Sequence, residues 1–93
     1  MSVEVRLPTL LRPLAGGNAT LAVEGSTVRE ALVAVIATQS GLAGQVLTDE
    51  GELHRFVNVY VNDDDVRYLD RLDTKVHDND VITILPAVAG GVI

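Results

Sequence analysis

One segment of the sequence has the pattern of a long amphipathic helix, and strand patterns lie on both sides of it. Thr27 stands three residues before Glu30, which is the spacing of a capping box at a helix N-terminus. The apolar residues that follow fall on a single helical face, and they are Val28, Ala31, Leu32, Val35 and Ile36. Gly41 then interrupts the pattern. The sequence therefore predicts one long helix near residues 28–39.

Strand patterns precede and follow this helix. Residues 2–7 alternate between polar and apolar side chains. After a turn at Gly16-Gly17-Asn18, a second strand is predicted over residues 19–23, where Ala19, Leu21 and Val23 alternate with Thr20 and Ala22. Residues 56–61 are β-branched and aromatic and predict a third strand. After a polar turn, we expect a short strand over Val66–Tyr68 to return.

The remaining segments limit the choice of fold. Residues 42–55 have a weak pattern, which predicts a connecting loop with at most a short helical turn near residues 45–47. Residues 81–85 are apolar on both faces, as in a central strand, and Pro86 ends this strand. A ferredoxin-like fold would need a second long helix between residues 42 and 80, and we see no such pattern.

This order of elements predicts an α+β fold of the ubiquitin-like β-grasp type. One main helix packs on a mixed sheet of four to five strands, whose first and last strands lie parallel at its centre. We expect a domain over residues 1–86 and a flexible C-terminal tail over residues 87–93. The expected core residues include Val3, Val5, Leu32, Ile36, Val57 and Val59.

Composition and motifs exclude several functions. The formal charge of −6 repels nucleic acids and anionic lipids, and no apolar stretch is long enough to span a membrane. We therefore expect a cytoplasmic protein without nucleic-acid or membrane partners.

The chain has no cysteine, its two histidines have no partner at metal-ligand spacing, and its aspartate runs at residues 63–65 and 78–80 are typical of turns. We expect no catalytic residues, no metal site and no bound cofactor, hence no enzyme.

The C-terminal tail is the strongest functional signal. Gly90 and Gly91 follow Ala87, Val88 and Ala89, and five extended residues span about 17 Å. Because glycines have no side chain, such a tail can enter a narrow tunnel in a partner protein. The alternative is an unstructured terminus without a role.

A second candidate site lies on the third strand. If Val57, Val59 and Val61 face the helix, Phe56 and Tyr60 lie on the outer face of the sheet, where they are candidates for partner docking. The alternative is that the loop over residues 42–55 half covers them.

Four segments carry a resemblance to a known family. They are PTLLRP at residues 8–13, RFVNVYVND at 55–63, DVR at 65–67 and ILPAVAGG at 84–91. With them the chain resembles the ubiquitin-like sulfur carriers, which include the thiazole-pathway carrier and the small subunit of molybdopterin synthase, and it is most similar to the actinobacterial cysteine-biosynthesis carriers of the CysO type. One departure is that Val92 and Ile93 follow the second glycine.

The resemblance implies a carrier that is a protein co-substrate of other enzymes. An E1-like enzyme would adenylate the carboxylate of Gly91 with ATP, and a sulfur donor would convert it to a thiocarboxylate. A PLP-dependent cysteine synthase would accept the sulfur. Because Val92 and Ile93 follow Gly91, we expect a metalloprotease of the JAMM type, which acts on related carriers, to cut between Gly91 and Val92. The alternative is that the two extra residues are tolerated. Two alternatives stay within the resemblance: a carrier for a thiosugar, thiazole, molybdopterin or other secondary-metabolite pathway, and a ubiquitin-like modifier. A non-covalent adaptor with an inert tail is the third.

Overall fold

A computed structural model describes residues 2–86, which contain two strands, one α-helix and then three further strands. The strands are β1 (Ser2–Arg6), β2 (Thr20–Glu24), β3 (Val57–Val61), β4 (Asp64–Asp65) and β5 (Val81–Pro86), and the helix is α1 (Val28–Thr38). They form one mixed sheet in the order β2-β1-β5-β3-β4. Strands β1 and β5 pair in parallel at its centre, and the other pairs are antiparallel. This confirms the predicted β-grasp fold.

Helix α1 begins as its sequence predicts. The Thr27 hydroxyl accepts a hydrogen bond of 3.2 Å from the backbone N–H of Glu30. The Glu30 carboxylate in turn accepts 2.9 Å hydrogen bonds from the backbone N–H and the hydroxyl of Ser26, and these bonds lower the pKa of Glu30. The helix N-terminus is therefore capped from both directions.

The core lies between α1 and the inner face of the sheet. Val3, Val5, Leu32 and Val59 are buried there, as predicted. Ile36 and Val57 are only half-buried, so their predicted burial is wrong. Ile36 lies at the edge of the apolar stripe whose centre is Leu32 and Val35, and Val57 lies at the end of the sheet beside two open cavities.

The segment that follows β3 differs from the predicted strand. Strand β4 consists of Asp64 and Asp65 alone, and the predicted strand over Val66–Tyr68 is instead a 3₁₀ helix. The Asp65 carboxylate accepts a 2.9 Å hydrogen bond from the backbone N–H of Arg67, which caps that helical turn. This local bond favours a turn over continued strand pairing.

The expected helical turn near residues 45–47 is absent from the described structure, and a 3₁₀ helix at Ser40–Leu42 precedes that segment. This helix packs tightly on a second, unpredicted 3₁₀ helix at Thr9–Ala15. A Cβ at Gly41 would lie 2.4 Å from the carbonyl oxygen of Leu14, so only glycine fits at this approach. Among residues 2–86, no helix has the length and apolar character needed to cross a bilayer.

Candidate functional site

The candidate site is the surface around Pro86, where the central strand ends. Pro86 is the last described residue, and it pairs with Val57 at the start of β3. The predicted tail residues lie outside the described residues, and they are Ala87, Val88, Ala89, Gly90, Gly91 and Val92. The part of the site that the structure describes is therefore the surface from which this tail begins.

Large apolar side chains are exposed at this end of the sheet. Leu10 is 76% exposed, Phe56 46% and Leu85 42%. Together with Pro8 and Pro86 they line a cavity of about 180 Å³, and we call these five residues the tail-exit patch. Exposed apolar groups gathered in one place are typical of interaction surfaces.

The 3₁₀ helix Thr9–Ala15 places Leu10 in this patch. It begins after Pro8, whose carbonyl oxygen accepts a 2.9 Å hydrogen bond from the backbone N–H of Leu11. Leu11 turns into the core, so its neighbour Leu10 points outward beside Pro86. No element was predicted between the first two strands, and Leu10 was not identified as a site residue, although the Leu10-Leu11 doublet shortly after Pro8 was a usable signal.

Phe56 lies in a turn before β3, and its expected place on the outer face of the strand is wrong. The backbone N–H of Phe56 donates to Nδ1 of His54 at 3.2 Å, and that of Val57 donates to the His54 carbonyl at 3.0 Å. These two bonds turn the chain back on His54, so the strand begins only at Val57. The Arg55 guanidinium lies 4.8 Å from the centre of the Phe56 ring, and His54 and Gln45 of the preceding loop line the same cavity.

Tyr60 occupies a different part of the molecule. It is half-buried on the outer face of β3, between Thr83 of β5 and Asp65 of β4 in the strand register. Tyr60 is four positions after Phe56, which corresponds to about 13 Å along an extended chain. The two predicted docking residues therefore do not form one patch, and only Phe56 adjoins the start of the tail.

An ion pair lies beside Tyr60. The buried carboxylate of Asp65 accepts hydrogen bonds from Nε of Arg67 at 3.2 Å and from Nη2 at 2.8 Å. This pairing lowers the pKa of Asp65 and raises the pKa of Arg67. Asp65 therefore has a structural role, because it binds both the backbone and the side chain of Arg67. The Arg67 side chain remains more than half exposed.

The other aspartate run also forms a structural turn. Asp80 accepts hydrogen bonds from the backbone N–H of His77 at 2.8 Å and from the Asn62 amide at 3.3 Å, and these bonds lower the pKa of Asp80. Asp78 accepts a 2.7 Å bond from the backbone N–H of Ser2. Within residues 2–86, no three histidine, aspartate or glutamate side chains lie where they could hold a metal ion together.

Comparisons with known proteins agree with this architecture. The chain matches the ThiS family over residues 5–91. It is 45% identical over 93 residues to the sulfur carrier protein CysO of Mycobacterium tuberculosis, which covers 98% of this chain and 100% of that protein. It is 33% identical over 93 residues to small archaeal modifier protein 3 of Haloferax volcanii, with coverages of 98% and 100%.

A solved structure matches the fold as well as the sequence. The crystal structure of the Amycolatopsis orientalis BexX/CysO complex contains a chain that superposes with a TM-score of 0.86 at 46% identity. The match covers 96% of this chain and 99% of that chain. The resemblance drawn from residues 8–13, 55–67 and 84–91 is therefore confirmed, and the chain belongs to the ThiS family.

Proposed function

We propose that this protein is a sulfur carrier that bears sulfur as a thiocarboxylate on Gly91. The main support for this proposal is the position of Gly90 and Gly91 in the chain. Gly91 is the fifth residue after Pro86, where the central strand ends, and the match to the ThiS family also ends at Gly91. The identity to proteins named sulfur carriers supports it.

The chemistry needs a free carboxylate and enzymes that act on it. An E1-like partner transfers AMP from ATP to the Gly91 carboxylate and releases pyrophosphate. A sulfur donor then displaces AMP and leaves a thiocarboxylate. Because the chain has no cysteine, it can form no thioester through a side chain of its own, and its contribution is to present the terminus.

Activation requires that Gly91 be the last residue. In the given sequence its carboxyl group is in a peptide bond with Val92, so it cannot be adenylated. We propose that a JAMM-type metalloprotease cuts between Gly91 and Val92. The β-branched Val92 and Ile93 would also fill a tunnel that suits glycine.

The tail-exit patch supports a place for the activating enzyme to dock. A partner that encloses residues 87–91 must also cover the surface around Pro86, where Leu10, Phe56 and Leu85 are exposed. Burial of these side chains would contribute apolar contact area close to the reacting group. We therefore propose that the patch, with Phe56 in it, contacts the E1-like enzyme, while a role for Tyr60 requires a contact that extends along the outer face.

We propose that the carrier delivers its sulfur to cysteine biosynthesis. In it, a PLP-dependent synthase supplies an acceptor that the thiocarboxylate attacks. The identity to CysO proteins favours this route. The BexX/CysO complex supports the binding of such a carrier to a further partner. Delivery to a thiosugar, thiazole, molybdopterin or other secondary-metabolite pathway is the alternative destination.

Protein modification is the second candidate function, because a 33% identical relative is named a modifier. A modifier would join its Gly91 carboxyl group to lysines of other proteins, and chains of it could form only through Lys75, the single lysine here. The intact mass of the protein from its native cell separates the cases. A Gly91-ended form in which one oxygen is replaced by sulfur supports the carrier, ladders of conjugates support the modifier, and an unchanged chain contradicts both.

A further inference from the structure

A second cavity, of about 310 Å³, lies beside the tail-exit patch and shares His54 and Val57 with it. Three arginines line this cavity, Arg55, Arg67 and Arg71, and we call it the cationic cleft. They come from different segments: Arg55 from the turn before β3, Arg67 from the 3₁₀ helix after β4, and Arg71 from a further 3₁₀ helix at Arg71–Asp73.

The clustering of charge contrasts with the rest of the molecule. The chain has a formal net charge of −6 and only seven lysines and arginines, yet three of these line this one cavity. Among the lining residues that the structure describes, Glu52 is the single carboxylate. The positive charge is therefore concentrated here, against the overall sign of the protein.

Two of the three arginines have no carboxylate partner in the described part of the chain. Arg67 is held by Asp65, but within residues 2–86 neither Arg55 nor Arg71 forms an ion pair. Arg55 instead lies over the Phe56 ring. Two guanidinium groups are thus available to an anion, and guanidinium groups bind oxyanions through paired N–H donors.

The backbone at Arg71 is unusual and firmly held. Arg71 has a φ of +54°, in the left-handed region that side chains other than glycine, asparagine and aspartate rarely adopt. The buried Leu72 anchors the segment, and the Thr74 hydroxyl accepts a 3.1 Å hydrogen bond from the backbone N–H of Asp70. Strained residues that their surroundings hold in place cluster at functional sites.

We propose that the cationic cleft binds the phosphate group of a small molecule, with Arg55 and Arg71 as its main ligands. The concave shape favours a small ligand over a protein segment, because the volume falls in the range of small-molecule sites and buried Val66 and Leu72 line it. Asn58 adds an uncharged hydrogen-bonding group to the lining. This site does not depend on sulfur transfer by Gly91, and it goes beyond the proposed function.

The test is an NMR titration of the full ¹⁵N-labelled chain with inorganic phosphate and with pyrophosphate at constant ionic strength. We expect saturable shifts confined to the amides of residues 52–58 and 66–72. The double variant Arg55→Gln/Arg71→Asn should weaken binding at least about tenfold, because two charge-assisted contacts are lost. Asparagine tolerates the left-handed backbone at position 71, and the spectrum itself reports the fold.

The matched control removes the same charge elsewhere. Arg6→Gln/Lys75→Gln changes the net charge equally but alters no residue that lines the cleft, and it should keep the affinity of the unaltered chain. Absence of saturable shifts, or equal weakening by both double variants, would overturn the proposal. Binding of an acidic peptide at the cleft without binding of phosphate would overturn it too, and would assign the cleft to a protein contact.

Discussion

Val57, the first residue of β3, pairs with Pro86, the last residue of β5. This pairing brings the turn that holds Phe56 to the end of the sheet where the tail begins. Leu10 reaches the same place from the 3₁₀ helix after β1. Three segments far apart in the sequence therefore surround the point at which residues 87–91 leave the sheet, and this relationship links the fold to the proposed function.

The first prediction concerns the core beneath the sheet. Leu32 of α1 is fully buried, so Leu32→Ala should lower the free energy of unfolding by about 2–5 kcal/mol. Its neighbour Val33 is 52% exposed, and Val33→Ala should change stability by less than about 1 kcal/mol. Urea denaturation of both variants measures the difference. Equal losses would show that the inner face of α1 is wrongly assigned.

The second prediction concerns docking of the activating enzyme. Leu10→Ala and Phe56→Ala should each raise the KM of the E1-like enzyme for the carrier, because an apolar contact next to the tail is lost. Thermal unfolding should change little, since Leu10 is 76% exposed, Phe56 is 46% exposed, and neither belongs to the core. Tyr68→Ala is the control, because Tyr68 is 85% exposed and does not line the tail-exit patch.

Two outcomes would count against this docking surface. The first is unchanged activation kinetics for Leu10→Ala and Phe56→Ala. The second is an equal effect of Tyr68→Ala, which would indicate a general loss of solubility or folding. A strong effect of Tyr60→Ala together with Phe56→Ala would instead extend the contact along the outer face of the sheet.

The third prediction concerns pH. The Arg67 guanidinium holds the pKa of Asp65 below its usual range, so this pair stabilises the fold above the unfolded-state pKa of about 3.9. The contribution is lost as the pH falls through the lowered pKa of the folded state. Asp65→Asn should therefore cost about 1–2 kcal/mol at pH 7, and the difference from the unaltered chain should shrink below about pH 4.

The control for the pH prediction is the adjacent aspartate. Asp64 is exposed, and Asp64→Asn should change the free energy of unfolding by no more than about 0.5 kcal/mol. Denaturation curves of the three proteins between pH 7 and pH 2 make the comparison. A cost of Asp65→Asn that stays constant over this range would contradict an ionised Asp65 as the source of the stability.

Long periodic segments were predictable from the sequence, and short local turns were not. Helix α1 and the central place of β5 followed from apolar spacing that burial requires. The 3₁₀ helix at Val66–Tyr68 depends on one hydrogen bond from the Arg67 backbone to Asp65, and the start of β3 depends on two bonds to His54. Such bonds leave no periodic pattern, so β-branched and aromatic residues there favoured a strand.

Only two parts of the candidate site were predictable from the sequence, namely Phe56 and the glycine pair. Phe56 was singled out because the strand pattern placed it on the exposed outer face of the sheet, and Gly91 because of the glycine pair. Leu10 and the three arginines of the cationic cleft were missed, because they come together only when the sheet brings separate turns side by side. The spacing of these residues along the chain does not show that they lie close together in the fold.

The proposed sulfur carrier function requires that Gly91 receive the sulfur once it is the last residue. Two proteins, one ending at Gly91 and one at Ile93, are incubated with the E1-like enzyme, ATP and a sulfur source, and their intact masses are followed over time. We expect that the Gly91 form exchanges one oxygen for sulfur and that the Ile93 form does so only after it loses Val92 and Ile93. Sulfur uptake by the intact Ile93 form at the same rate, or none by the Gly91 form, would contradict it.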